Sequence, residues 1–377
     1  MRLRTVWRIG RIAGIGVAIH PSWLIIYVLF AWSATVAVRY FDADLNEVNS
    51  IVLGLIASLV LFASVVAHEF AHALVARRLG IPIEGITLFL FGGVASILRE
   101  PPSPAAELAM AAAGPALSLV LAAVFLLISV AVHALHWTWG WTFCVFLAAA
   151  NGMLAVFNLL PAFPSDGGRI LRALLWMHKR SQARATGTAS VVSLVVAVCL
   201  AGCGLYFVLG EHEYRGVWWM VIGSFLAQAA MTSARQARVD LALEQLSVRE
   251  CMLTKLIPVP ADTTVGEFIG EIAGLPGAAY PVVRAGVLVG IADVRQTAGI
   301  PLQRWPSTPV SAIMSPLGAP PLREEASARD ALAALHDSGR SELPVFEAGV
   351  LVGIITQEAI FRALHARKTS VLAAARP

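Results

Sequence analysis

Charge is what this 377-residue chain has least of: Asp, Glu, Lys and Arg make up 14% of it, where a soluble globular chain carries about 25%. Hydrophobic residues make up 58% and mean hydropathy is +0.73, so much of the chain is expected to be solvated by lipid. Cysteine is scarce too. The four present (Cys144, Cys199, Cys203, Cys251) show neither zinc spacing nor a disulfide framework, and Cys199 with Cys203 on one helix face reads as small core residues. Net charge is +4, yet no long basic run and no stripe of interleaved aromatic and basic residues is present, so no nucleic-acid partner is expected. The first ten residues carry arginines without a short apolar core and a cleavage site, so a cleaved signal peptide is not expected.

What the chain does have is long apolar runs. A basic segment, residues 1–20, precedes six expected spans at about 21–38, 51–76, 105–132, 141–160, 190–209 and 217–232. Residues 83–98 are apolar but interrupted by Gly92-Gly93, and each arm is too short to cross a bilayer. A β-hairpin centred on the glycine pair is expected there, re-entrant beside the active site, with a partly buried interfacial loop as the alternative. Arginines and lysines collect at one set of loops (Arg2 to Arg11, Arg77, Arg78, Arg99, Arg169 to Arg184, Arg235, Arg238), and acids such as Asp42, Asp44, Glu47, Glu211 and Glu213 at the other. The positive-inside rule then puts both termini in the cytoplasm, with the chain multi-pass in the cell membrane.

Within the second span lies His68-Glu69-Phe70-Ala71-His72. Histidines four apart share one helix face and can reach a single ion, while Glu69 beside them can take a proton from a water activated there. Ionisable residues in a bilayer-length segment are costly and normally functional. A catalytic zinc wants three protein ligands and an open position. His133, His136 and His212 fall on the far side. His20, Glu84, Glu100, Glu107, His178 and Asp166 fall on the near side. Asp166 ranks first because it follows a Pro-broken span and starts a helix at the depth of His68, although Asp is also a common helix N-cap; His20 ranks second.

His68-Glu-Phe-Ala-His72, together with Asn158-Leu-Leu-Pro-Ala-Phe-Pro-Ser-Asp166-Gly-Gly, resembles the paired signature of the site-2 proteases, intramembrane zinc metalloproteases. The Gly92-Gly93 hairpin and Ala113-Gly114-Pro115 resemble that family's elements between the motifs, and the likeness covers roughly residues 10–235. It implies one zinc per chain on His68, His72 and Asp166, with Glu69 as the base and Asn158 steadying substrate or oxyanion. The site would open to the cytoplasm. The substrates implied are membrane proteins such as single-pass anti-sigma factors. Ser165 stands where the family usually has Leu or Met, a mild departure.

From about Ser247 the pattern becomes soluble α/β and repeats. Val248 to Met252, Tyr280 to Val283 and Gly286 to Ile291 recur as Val310 to Met314, Leu343 to Phe346 and Gly349 to Ile355. The copies resemble a pair of cystathionine-β-synthase-type (CBS) modules, which in many proteins bind adenine nucleotides, regulate and form homodimers. Where such modules carry a ribose-holding Asp, this chain has Gln296 and Ala359, and Thr356 is the one candidate nucleotide contact that survives. The organisation expected is a basic segment 1–20, a six-helix membrane metalloprotease domain 21–235 with its hairpin, a linker 236–246, tandem CBS modules 247–366 (about 247–305 and 306–366) and a tail 367–377. A second reading is a CBS-regulated ion transporter or channel with His and Asp on its path, and a third is an inactive scaffold. A transporter has no need of a glutamate between the two histidines, and the presence of all four core positions speaks against the scaffold.

Overall fold

The computed structural model describes residues 6–12, 14–41, 45–89, 92–97, 101–211, 213–273, 278–317 and 322–374. The chain divides into two compact units, Met1–Ala237 and Arg238–Pro377.

The first unit begins with two strands, β1 (Trp7–Ile12) and β2 (Ile15–Ile19), followed by helices α1 (Trp23–Phe41) and α2 (Glu47–Arg78). A second strand pair, β3 (Ile83–Phe89) and β4 (Gly92–Ile97), leads into α3 (Pro104–Ala134), α4 (Thr138–Asn158), α5 (Asp166–Lys179), α6 (Gln182–Leu209) and α7 (Arg215–Glu244). Six of these helices are long and apolar enough to cross a membrane. Helix α5 is not among them: its 14 residues reach about 21 Å, short of a hydrocarbon core of about 30 Å, and one face is polar. The chain is a polytopic helical membrane protein. Large apolar side chains such as Leu127, Val130, Val195 and Trp218 stay exposed on its helices, as lipid-facing positions do.

Small residues decide where the helices meet. The buried positions of α2 include Gly54, Ala57, Leu61, Ser64, His68, His72 and Ala76, one stripe at steps of three and four. Helix α3 opens on a Ser103 cap and a Pro at its first turn, then continues through Pro115.

The four strands form one sheet in the order β1-β2-β3-β4, with β2 and β3 parallel and each hairpin antiparallel. The basic segment expected over residues 1–20 thus contributes two of its strands. In the second hairpin Phe89 pairs with Gly92, so Gly92-Gly93 opens β4 rather than forming the centre of the turn; residues 90–91 lie outside the described residues. The linker expected at 236–246 is helical as far as Glu244, because residues 234–244 are, apart from Val239 and Asp240, strong helix formers, with no Gly or Pro among them.

The second unit carries a short helix α8 (Val248–Cys251), strands β5 (Lys255–Leu256) and β6 (Val259–Pro260), a short α9 (Val265–Glu267), then β7 (Ala278–Arg284), β8 (Val287–Ala292) and β9 (Ser315–Pro316). Helix α10 (Ala328–Ser338), strands β10 (Glu342–Glu347) and β11 (Val350–Thr356) and helix α11 (Gln357–Ala374) follow, so part of the expected tail is helical. The two sequence copies exchange their leading segments. Val248 N–H donates to the Ala326 carbonyl, and Leu253 and Ile354 bond reciprocally. Val310 N–H donates to the Thr263 carbonyl, and β9 pairs with β8. Val248 and Cys251 accordingly sit in a core with Leu335, Leu343 and Ile355, while Val310 sits in the other with Val259, Phe268 and Val282.

Candidate metal centre

Three buried donors from two helices converge. His68 Nε2 lies 3.2 Å and His72 Nε2 3.1 Å from Asp166 Oδ2, and the two Nε2 atoms are 3.2 Å apart. These residues form the one cluster of metal-ligating type found among the described residues. Separations of this size are the edges of a tetrahedron with its corners about 2.0 Å from the centre, the zinc–nitrogen distance.

The groups behind the donors orient the two rings. His72 Nδ1 donates to the Met110 carbonyl at 2.7 Å, so the neutral ring carries its bare lone pair on Nε2, facing the carboxylate. His68 Nδ1 shares a 2.8 Å hydrogen bond with Ser118 Oγ. Lone pairs and a carboxylate oxygen this close repel one another unless a cation sits among them. Gly114 clears the space: a Cβ there would lie 2.2 Å from His72 Nε2 and 2.5 Å from His68 Nε2. The residues fit a zinc ion.

Asp166 is held from two directions. The N-cap of α5 is Ser165, whose hydroxyl lies 2.7 and 2.6 Å from the Leu160 and Ala162 carbonyls, so the Asp166 carboxylate faces the histidines instead of capping. Gly167 packs so tightly that a Cβ would lie 2.3 Å from the Leu159 and Leu160 carbonyl oxygens. From the other side, fully buried Glu107 on α3 takes a charge-assisted bond from Arg172, while Arg169 stands off at 4.0 Å. Glu107, Met110, Gly114 and Ser118 fall along one face of α3, which therefore backs all three donors.

The remaining candidates separate clearly. Glu69 is half-buried and lies within electrostatic reach of His72, Asp166 and Arg169. Asn158 donates its amide to the Leu154 carbonyl of its own helix at 3.0 Å. His20 Nδ1 bonds Ser22 Oγ, Glu107 serves the arginines, His178 is exposed, and Glu100 lies outside the described residues. Thr356 Oγ1 accepts from Ala359 N–H and so caps α11. Sequence reading missed Ser118, Met110 and the Glu107–Arg172 pair. Their three- and four-residue spacing on α3 was the available signal.

Comparison with known proteins agrees with this geometry. Peptidase family M50 matches residues 56–137 and 128–202, spanning both histidines and Asp166, and the CBS domain matches residues 310–366. Zinc metalloprotease Rip3 of Mycobacterium tuberculosis is 34% identical over 372 residues, covering 96% of this chain and 93% of its own. Zinc metalloprotease MJ0392 of Methanocaldococcus jannaschii is 27% identical over 364 residues, 95% of each chain. The solved site-2 protease of M. jannaschii superposes with a TM-score of 0.42 at 27% identity, covering 61% of this chain and 95% of its own. The chain belongs to peptidase family M50, the site-2 proteases, and is a membrane metalloendopeptidase with a C-terminal CBS domain.

Proposed function

We propose that this protease is a zinc enzyme that cuts transmembrane segments of membrane-protein substrates within the bilayer, near their cytoplasmic ends. The observation that carries the reading is the convergence of His68, His72 and Asp166 beside Glu69 in a helix of membrane-spanning length. Zinc held by these donors would polarise the scissile carbonyl and acidify a water at its open position. Glu69 takes that water's proton as the water attacks the carbonyl carbon, then returns it to the leaving amine. Met110 and Ser118 hold the imidazoles, and Arg172 with Glu107 holds the helix that carries Asp166. Asn158 can steady the substrate if its amide leaves the Leu154 carbonyl.

A helical substrate hides its carbonyls and must be unwound. The β3–β4 hairpin, re-entrant in this reading, would hold the extended chain by adding it as a strand. Leu88→Pro should then abolish cleavage with zinc still bound. Substrates of the anti-sigma-factor type, single-pass and trimmed beforehand, suit such a site.

The C-terminal pair regulates the protease in this proposal, with an adenine nucleotide near Thr356 as the candidate ligand and the pair as a route to homodimers. Titrating ATP into the protein checks the first, and a Thr356→Ala variant locates it. For cleavage, the test is reconstitution in liposomes with a single-pass substrate and mass analysis of the products. A cut inside the apolar segment on the positive side supports the proposal; cuts confined to aqueous loops contradict it.

A further inference from the structure

Arg169 and Arg172 both lean toward Glu107, yet they are not equivalent. Arg172 makes two bonds to Glu107 Oε1. Arg169 reaches the same oxygen only at 4.0 Å, and its other contact is the thioether of Met110, also at 4.0 Å. A guanidinium has five N–H donors, and one on a side chain only 23% exposed usually spends several of them on carboxylates or carbonyls. Here nearly all of that capacity is unused among the described residues. The position of Arg169 explains what it serves. It lies one helical turn after Asp166, touches the residue whose carbonyl orients His72, and feels the charges of Glu69 and Asp166. Arg172 already neutralises Glu107, so a second cation is surplus to the architecture.

We infer that Arg169 is a catalytic residue whose guanidinium receives the scissile carbonyl oxygen of the substrate as it becomes negative. The water oxygen forms a bond to the carbonyl carbon, the π pair moves onto the carbonyl oxygen, and the water's proton goes to Glu69. Arg169 donates to that oxygen more strongly as its charge grows. Asn158, whose amide is committed to its own helix, does not carry this role alone.

The inference rests on the protease reading, so wild type and Glu69→Gln are run first with the single-pass substrate. Wild type that fails to cleave removes the reading itself. Arg169→Ala is then expected to hold one zinc per chain, with KM unchanged, kcat lower by about 100-fold, weaker binding of a tetrahedral phosphinic peptide, and partial rescue by free guanidinium. Arg169→Lys should fall between it and wild type. An Arg169→Ala enzyme with wild-type kcat overturns the inference alone. So does loss of zinc from both variants in step with activity, because Arg169 would then only position Asp166.

Discussion

The two units of this chain bury carboxylates for different reasons. In the membrane unit Asp166 and Glu107 belong to one system, in which three donor atoms meet at a single point and the polar groups behind them hold them there. In the C-terminal unit the buried acids stand apart. Glu324 is bound by Arg249, and Glu342 receives Gln296 at 3.4 Å. Gln296 belongs to the first copy and Glu342 to the second, so that contact ties the repeats together. Convergence marks chemistry, whereas isolated pairing marks architecture. The same residue type thus means different things according to whether its neighbours point at it or at a shared empty place.

If convergence is the right criterion, breaking it should cost most. Asp166→Ala removes one of three donors and should drop zinc to background and cleavage by about a thousandfold or more, read by metal analysis and product formation. Gly114→Ala adds a single methyl where the ion belongs. It should lower zinc content and activity by about 100-fold, while Gly152→Ala, whose methyl would meet nothing within 4 Å, should change neither. Ser118→Ala leaves His68 able to bind but unguided, and metal affinity should fall by about 10- to 100-fold.

The smallest effect belongs to the other side of the comparison. Burial pushes the Glu342 carboxyl up to about 7, and Asp293 adds to the push. The folded state therefore binds a proton that the unfolded chain releases between its ordinary pKa, near 4.5, and about 7. This group's contribution to stability falls as pH rises through that window. Glu342→Gln should raise stability by about 1–3 kcal/mol at pH 8 and by little at pH 4.5, seen as a Tm shift in thermal unfolding, without altering zinc content.

How much of this was readable in advance follows from how local each signal is. The histidine pair needs only helical periodicity, and the spans need only apolar length. Asp166 required a helix break and an argument about sides of the membrane, both present in the chain. Glu107 was seen as an acid on the right side but not as the partner of Arg172, because that pairing exists only once α3 packs on α5. The strand Trp7–Ile12 escaped for two reasons. A register shift between Arg8 and Gly10 breaks its alternation, and its sheet is completed by residues beyond Ile83. The exchange of leading segments in the C-terminal repeats is likewise invisible to alignment of one copy on the other.

The most direct test of the account is paired zinc analysis and cleavage of a single-pass substrate by wild type and Glu69→Gln, both reconstituted in lipid. The account predicts one zinc per chain in each, with cleavage in wild type alone. A Glu69→Gln protein that cleaves at the wild-type rate, or a wild type that cleaves while holding no metal, would contradict it.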